Sequence, residues 1–315
     1  MRIRIKAGSA YEGTLKVVRV PDINYSYTYI EPLVIDVYGA TQSEPYAKIT
    51  GPSGGCCVEV DGSNIRISGL EVTGSTAYRG IWLNPTKAGA MKNVVISGNY
   101  CHDINFNTNG LSANQYDPEN PPDTTIAQQI CSDNNYDHLY GGIVADAAIN
   151  SNGANWFEDL WIENNIVERV ARTGIWVFSK WTNRPGCDWG VNQYVDDEHG
   201  YYPHKNVIIR KNELLQTGGD AIVMGAVWGG WIENNTSYYA QYLGRSGYYN
   251  AGIWTHSCKN VVFQFNEAAY TYKRNDAGDG QGFDIDIGNT DITFRYNYAH
   301  HNEGGGILFV TLQLR

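Results

Sequence analysis

Two carboxylates sit two residues apart in the phrase Gly282-Phe283-Asp284-Ile285-Asp286. On an extended backbone such residues share a face, with Cα atoms ~6.5–7 Å apart and carboxyl groups ~5–9 Å apart. That range spans the separations used by carboxylate pairs in retaining and inverting glycoside hydrolysis. Close carboxylates do not both ionise cheaply, so one holds its proton and can act as an acid while the other attacks or activates water. Asp276 and Asp279 add two carboxylates just upstream. The four could also supply oxygen ligands to Ca²⁺, although their spacing is not that of an EF-hand loop.

The elements that must position these groups are written as repeats. Val95-Ile96-Ser97-Gly98-Asn99 returns as Trp161–Asn165, Ile208–Asn212, Trp231–Asn235, Val262–Asn266 and Thr293–Asn297. An earlier copy, Asn64–Leu70, carries Leu70 in the Asn slot. The final Asn residues recur after 66, 47, 23, 31 and 31 residues. A second phrase, a Gly followed by alternating apolar and variable residues, reads Gly174–Phe178, Gly252–His256, Gly282–Asp286 and Gly306–Val310. Self-similarity at this period signals a solenoid, and short strands broken by Gly or Asn leave no room for crossover helices. The pattern predicts an all-β chain folded as a parallel β-helix. Ile175, Val177, Ile253, Thr255, Phe283, Ile285, Ile307 and Phe309 should point inward. The recurring Asn suits a sharp bend, since it tolerates left-handed backbone, and in stacked coils it can form an amide ladder. Every such Asn is therefore assigned to structure.

Aligning the Gly-led strands gives two outward columns. One reads Trp82, Val144, Trp176, Val223, Trp254, Asp284 and Leu308; the other Asn84, Asp146, Phe178, Gly225, His256, Asp286 and Val310. Coils stack ~4.8 Å apart, so Trp254 should neighbour Asp284 and His256 should neighbour Asp286. His256 can tune the carboxylates or bind substrate. Trp176 and Trp254 offer flat faces for sugar rings, with Phe178, Asp146, Lys180, His301 and Glu303 as further lining. Successive strand residues point to opposite faces, so His300 and His301 are not expected to act together. Asp220, one residue before its strand, reads as a turn carboxylate.

Residues 1–315 are read as one domain. Residues 1–60 form an N-terminal coil and cap region, and 104–138 and 181–204 are long loop insertions whose aromatic content suits ordered walls around a groove. The chain closes on an apolar strand without a polar cap, which predicts either a longer native chain or end-to-end association at that coil. The net charge of -10 disfavours nucleic acid, which needs a basic face. No apolar run reaches the ~18 residues that would span a bilayer, and Met1–Lys6 alternates like a strand with no secretory apolar segment. The six cysteines lack paired zinc-site spacing, and adjacent Cys56 and Cys57 are expected as separate thiols.

The opening Ile3–Leu15, Pro32–Gly39 and Ala47–Gly51, with the closing Gly280–Asp286 and Tyr296–Gly305, resemble the right-handed parallel β-helix proteins of the pectate-lyase-like superfamily. The resemblance covers nearly the whole chain. It implies a carbohydrate-active protein with a polysaccharide or oligosaccharide laid along one outward sheet, and an extracellular or secreted location despite the lack of a visible signal segment. The preferred reading is a glycoside hydrolase that needs no cofactor, with Asp284 and Asp286 catalytic and His256 in support. The first alternative is a Ca²⁺-dependent uronate lyase, in which Asp276 and Asp279 bind the metal and one of Lys180, Arg245, Lys273 or Arg274 removes the proton. The second is a non-catalytic glycan-binding, filament or tailspike β-helix.

Overall fold

The computed structural model describes residues 1–19, 31–112, 115, 117, 119–131, 139–147, 152–179, 200–244, 250–273 and 279–310. Among these, the chain winds through nine coils, each giving one strand to each of three parallel sheets. One coil illustrates the rule: Val227–Glu233 lies in the first sheet, Thr236–Tyr238 in the second and Ile253–His256 in the third. Every strand of the seven inner coils pairs with its equivalent one coil before and after, and those of the two end coils pair on one side. The main-chain donors and acceptors are thus satisfied between coils rather than within them. The first two coils take the strands from Arg2 to Asp61, one residue beyond the expected N-terminal region.

Inward residues of all three sheets merge into one apolar column from Val17 to Phe283, with Ile65, Ile96, Ile162, Ile209, Ile232 and Phe263 among its fully buried members. The expected inward set holds through Ile285, and Thr255 is buried with it. In the last coil Ile307 is half-buried and Phe309 is 57% exposed.

The repeated Asn does form an amide ladder. Asn99, Asn165, Asn212, Asn235 and Asn266 each donate a side-chain N–H to the Oδ1 of the next, at 2.9–3.0 Å, ending on Asn297. Each also donates its backbone N–H to that same Oδ1 at 3.0 Å. The left-handed residue of the bend is not this Asn, as expected from sequence, but the one before it. Gly98, Asn164, Lys211, Asn234, Phe265 and Tyr296 all have φ between 53° and 64°. Lateral hydrogen bonding of the ladder holds even Phe265 and Tyr296 in a conformation that costs such residues ~1 kcal/mol or more.

The insertion at 104–138 contains a short helix, Thr124–Ile130, whose first turn is capped by Asp123, which accepts from Ile126 N at 2.9 Å. Phe106, Ala127 and Ile130 pack on Ala171, Tyr242, Leu243 and Tyr272. The hydroxyls of Tyr242 and Tyr272 donate to the carbonyls of Asp117 and Glu119 at 2.6 and 2.7 Å, tying the described part of the insertion to the corner between the second and third sheets. The other insertion, 181–204, lies mostly outside the described residues, and its last residue, His204, already opens a first-sheet strand. Cys56, Cys57 and Cys101 are buried free thiols, so Cys56 and Cys57 are separate as expected, and Cys131 and Cys258 are buried as well. No described helix is long and apolar enough to cross a membrane.

The ladder predicts a graded cost. Asn235→Ala removes four hydrogen bonds from a fully buried position and should lower unfolding free energy by about 2–4 kcal/mol, whereas Asn297→Ala, at the half-buried end, should cost about 1 kcal/mol. Urea unfolding curves check this; equal losses at the two positions would contradict a cooperative ladder.

Candidate active site

Both outward columns of the third sheet occur as the repeats imply. Trp82, Val144, Trp176, Val223, Trp254, Asp284 and Leu308 are successive partners across the parallel strands. Asp146 pairs with Phe178 and Gly225 with His256. Asp286 follows the last paired residue of its strand and donates its backbone N–H to Thr255 O at 3.0 Å, which puts it beside His256.

The face itself is not the open aromatic platform expected. Val144, Trp176, Phe178 and Val223 form a buried apolar cluster on the outside of the coils, with Trp82, Leu139 and Trp254 packed against it. Trp176 and Phe178 are 7% and 4% exposed and stack on each other at 4.9 Å, so neither presents a free face. Asp146 is buried too, and its Oδ1 accepts from the Trp176 indole at 3.3 Å. Gly225 makes room for this arrangement, since a Cβ there would lie 2.0 Å from the Phe178 ring. Phe178 can therefore lean across it toward His256, 5.9 Å away between ring centres.

At the downstream end of this face the apolar pattern gives way to acid. Asp284 is 5% exposed and its Oδ1 is buried without a hydrogen-bond partner. Burial, then the charges of Asp286, Asp279 and Asp220, push its carboxyl up to about 8. Asp279 is half-buried and raised by burial, then by the charges of Asp286 and Asp220, with Lys273 opposing. Asp286 is half-buried and accepts from Ile287 N at 2.7 Å. His256 is buried, shares a 2.7 Å hydrogen bond with the Ser257 hydroxyl, and titrates below its usual range because burial outweighs the nearby Asp286 charge. The arrangement sets one carboxyl that keeps its proton near neutral pH, Asp284, beside two further acidic side chains open to solvent, a composition from which an acid–base pair can be drawn.

Beneath the cluster lies an ion pair whose importance the sequence did not reveal. Arg172 and Asp220 are both fully buried, and Arg172 Nη1 lies 2.7 Å from Asp220 Oδ2. Asp220 Oδ1 also accepts from the Trp254 indole at 2.8 Å and from Ala251 N at 3.1 Å. It is therefore no turn carboxylate; it locks the tryptophan that neighbours Asp284. The available signal was Gly218-Gly219. A Cβ on Gly219 would fall 1.7 Å from Arg172 Nη1, so the glycine is the guanidinium's passage.

Other candidates lie elsewhere. His301 is exposed at the end of a second-sheet strand, stacked on Tyr270 at 5.0 Å. Its φ of 54° folds it back so that His300 Nδ1 and His301 Nδ1 share a 2.7 Å hydrogen bond, contrary to the opposite-face expectation. Glu303 is exposed and accepts from Lys273 N at 2.6 Å. Asp276, Lys180, Arg245 and Arg274 fall outside the described residues. Asp279, expected as a metal ligand, belongs electrostatically to the Asp284–Asp286 group. Among the described residues, no three His, Cys, Asp or Glu side chains are grouped to hold a metal ion.

Similarities to known proteins bear on the fold that carries this face. A lacto-N-biosidase of Bifidobacterium longum subsp. longum is 31% identical over 164 residues, which are 48% of this chain and 10% of that protein. The crystal structure of a GH136 lacto-N-biosidase from Eubacterium ramulus superposes with a TM-score of 0.67 at 18% identity, covering 97% of this chain and 51% of that one. An alginate lyase from a Paenibacillus species gives 0.51 at 14% identity, covering 98% and 91%. The chain thus spans about half of the solved lacto-N-biosidase and about a tenth of the curated one. Residues 147–313, more than half of the chain, match the family described as right handed beta helix region, and the chain belongs to that family.

Proposed function

We propose that this chain carries the active centre of a glycoside hydrolase of the lacto-N-biosidase kind, acting on an oligosaccharide held against the downstream outward face of the third sheet. The observation that carries the reading is the Asp279–Asp284–Asp286 cluster, in which one buried carboxyl stays protonated to about 8 beside others open to solvent. The kinship with proteins named lacto-N-biosidase supports the same reaction class.

Exposure divides the duties and revises the expected Asp284–Asp286 pair. An acid catalyst must touch the leaving-group oxygen, and the attacking group must reach the anomeric carbon. Asp279 and Asp286 are half-buried and reachable, whereas Asp284 is 5% exposed. Asp279, raised in pKa, protonates the glycosidic oxygen; Asp286 attacks the sugar or activates water. Asp284 serves as a neutral neighbour that keeps the cluster from carrying three charges. Trp254, held by Asp220, borders the sugar, and His256 orients Asp286 from the adjacent coil.

Asp279→Asn and Asp286→Asn should each lower kcat/KM on lacto-N-biosyl substrates by about 10³-fold or more, the scale of losing a catalytic carboxyl. Asp284→Asn should cost about 10–100-fold and move the acidic and basic limbs of the pH profile. Full activity of Asp279→Asn and Asp286→Asn would overturn the assignment, and a loss in Asp284→Asn as deep as theirs would transfer the acid's role to it.

Stability gives a second check. The unfolded chain releases the Asp284 proton near pH ~3.9, while the folded chain keeps it to about 8. Between those values the native state binds more protons, so the contribution of this group is fully present below pH ~4 and is lost as pH rises toward 8. Asp284→Asn removes that loss. Its melting temperature should exceed the parent's by an amount that grows from pH 5 to pH 8, corresponding to about 2–4 kcal/mol. A variant less stable than the parent at pH 8 would contradict the buried, neutral state of Asp284.

A further inference from the structure

The first sheet carries a second concavity on a different face of the coils from the acidic cluster. It is lined by Lys205, Asn206, Trp228, Gly229, Gly230, Trp231, Asn260 and Val262 and encloses about 470 Å³. Small-ligand clefts have volumes of this order. Trp228 and Trp231 are 48% and 38% exposed, in contrast to the covered Trp176 of the third sheet.

The local sequence explains the shape. Trp228 lies between Lys205 and Lys259 on the adjacent strands, and Trp231 between Ile208 and Val262. The two residues between the indoles are both glycine. Gly229 adopts φ +76° and a Cβ there would meet nothing within 4 Å, so the floor between the rings is bare backbone open to solvent. Gly230 is packed from below, where a Cβ would approach Val207 O at 2.9 Å. Asn206 and Asn260 take the same left-handed bulge on the neighbouring coils, φ 52° and 55°, and border the floor with amide groups.

Two exposed indoles, a floor without side chains and flanking amides suit a flat, hydroxyl-rich ring: its C–H face packs on indole and its hydroxyls meet amides. Charge narrows the class further. The lining has no carboxylate, and its one ammonium, Lys205, lies 3.2 Å from Glu158 outside the groove, while Lys259 on the rim holds its ammonium 5.0 Å over the Trp228 ring. That rim cation sits on an indole face, and the rest of the recognition surface, Trp231, the glycine floor and the two asparagine amides, carries no charge with which to select an ionic ligand. We infer that the Trp228–Gly229–Gly230–Trp231 groove is a non-catalytic binding site for a neutral pyranose disaccharide unit, separate from the acidic centre. Such a site would hold the chain to a glycan surface while the third sheet works on another part. It stands on geometry that does not involve the acidic cluster, so it survives failure of the hydrolase reading.

The test is a fluorescence titration of the Asp286→Asn chain, which spares the probe from cleavage, with lactose, N,N′-diacetylchitobiose and sialyllactose. At least one neutral disaccharide should shift tryptophan emission saturably, and Trp228→Ala and Trp231→Ala should each weaken that binding at least tenfold with unchanged circular dichroism and melting temperature. In the otherwise native chain the same two variants should cleave a small soluble substrate within about twofold of the parent. Absence of saturable binding, binding indifferent to both tryptophan variants, or binding of sialyllactose alone would overturn the site. Concentration-dependent self-association that Trp228→Ala abolishes would overturn it in favour of an interface between copies.

Discussion

The structure depends on the lateral registration of one coil on the next. A parallel strand in this chain has no local partner, so its backbone groups are satisfied only by the coils above and below. The buried Asn ladder locks that registration at one corner. Each amide bonds to the carbonyl of the preceding coil and to the amide of the next, so a slipped coil would strand several polar groups at once. With the corner fixed, residues on each flank are committed to inward or outward columns. The chain can then vary the outward residues freely, and the acidic cluster and the Trp228–Trp231 groove are such variations.

That constraint also explains how carboxylates come to be buried on an outside face. Upstream, Val144, Trp176, Phe178 and Val223 cover the third sheet with apolar surface. Asp284 inherits this dry setting because it occupies the same column, one coil beyond Trp254. Burying a charge there without a partner is costly, and the carboxyl keeps its proton instead. Asp220 sits in a comparably buried position and stays paired to Arg172, so its negative charge persists and adds to the pressure on Asp284. One carboxylate is neutralised by a cation and the other by a proton. That asymmetry leaves the cluster with one buried carboxyl that holds its proton.

Much of this was legible in the sequence because a solenoid repeats its geometry in its letters. The outward columns from Trp82 to Leu308, the inward set through Ile285 and the amide ladder all follow from strand period and repeat spacing. What stayed hidden depends on contacts between segments of unlike sequence. Leu139, which packs on the Trp176–Phe178 cluster, comes from outside the repeat. The Arg172–Asp220 pair joins residues 48 apart in chain positions that carry no repeat signature. The left-handed bend fell one residue earlier than expected because stacking, not intrinsic preference, selects Lys211, Phe265 and Tyr296 for it. The same backbone freedom at His301 brought two rings together that strand alternation would separate.

The central claim is that a glycosidic bond is broken here by water rather than by elimination, and the fate of the solvent oxygen tests it most directly. Cleavage of an oligosaccharide by this chain in H₂¹⁸O, followed by mass spectrometry of the products, should give a reducing sugar carrying one ¹⁸O and no unsaturated fragment. Unlabelled products lighter by the elements of water would contradict the account.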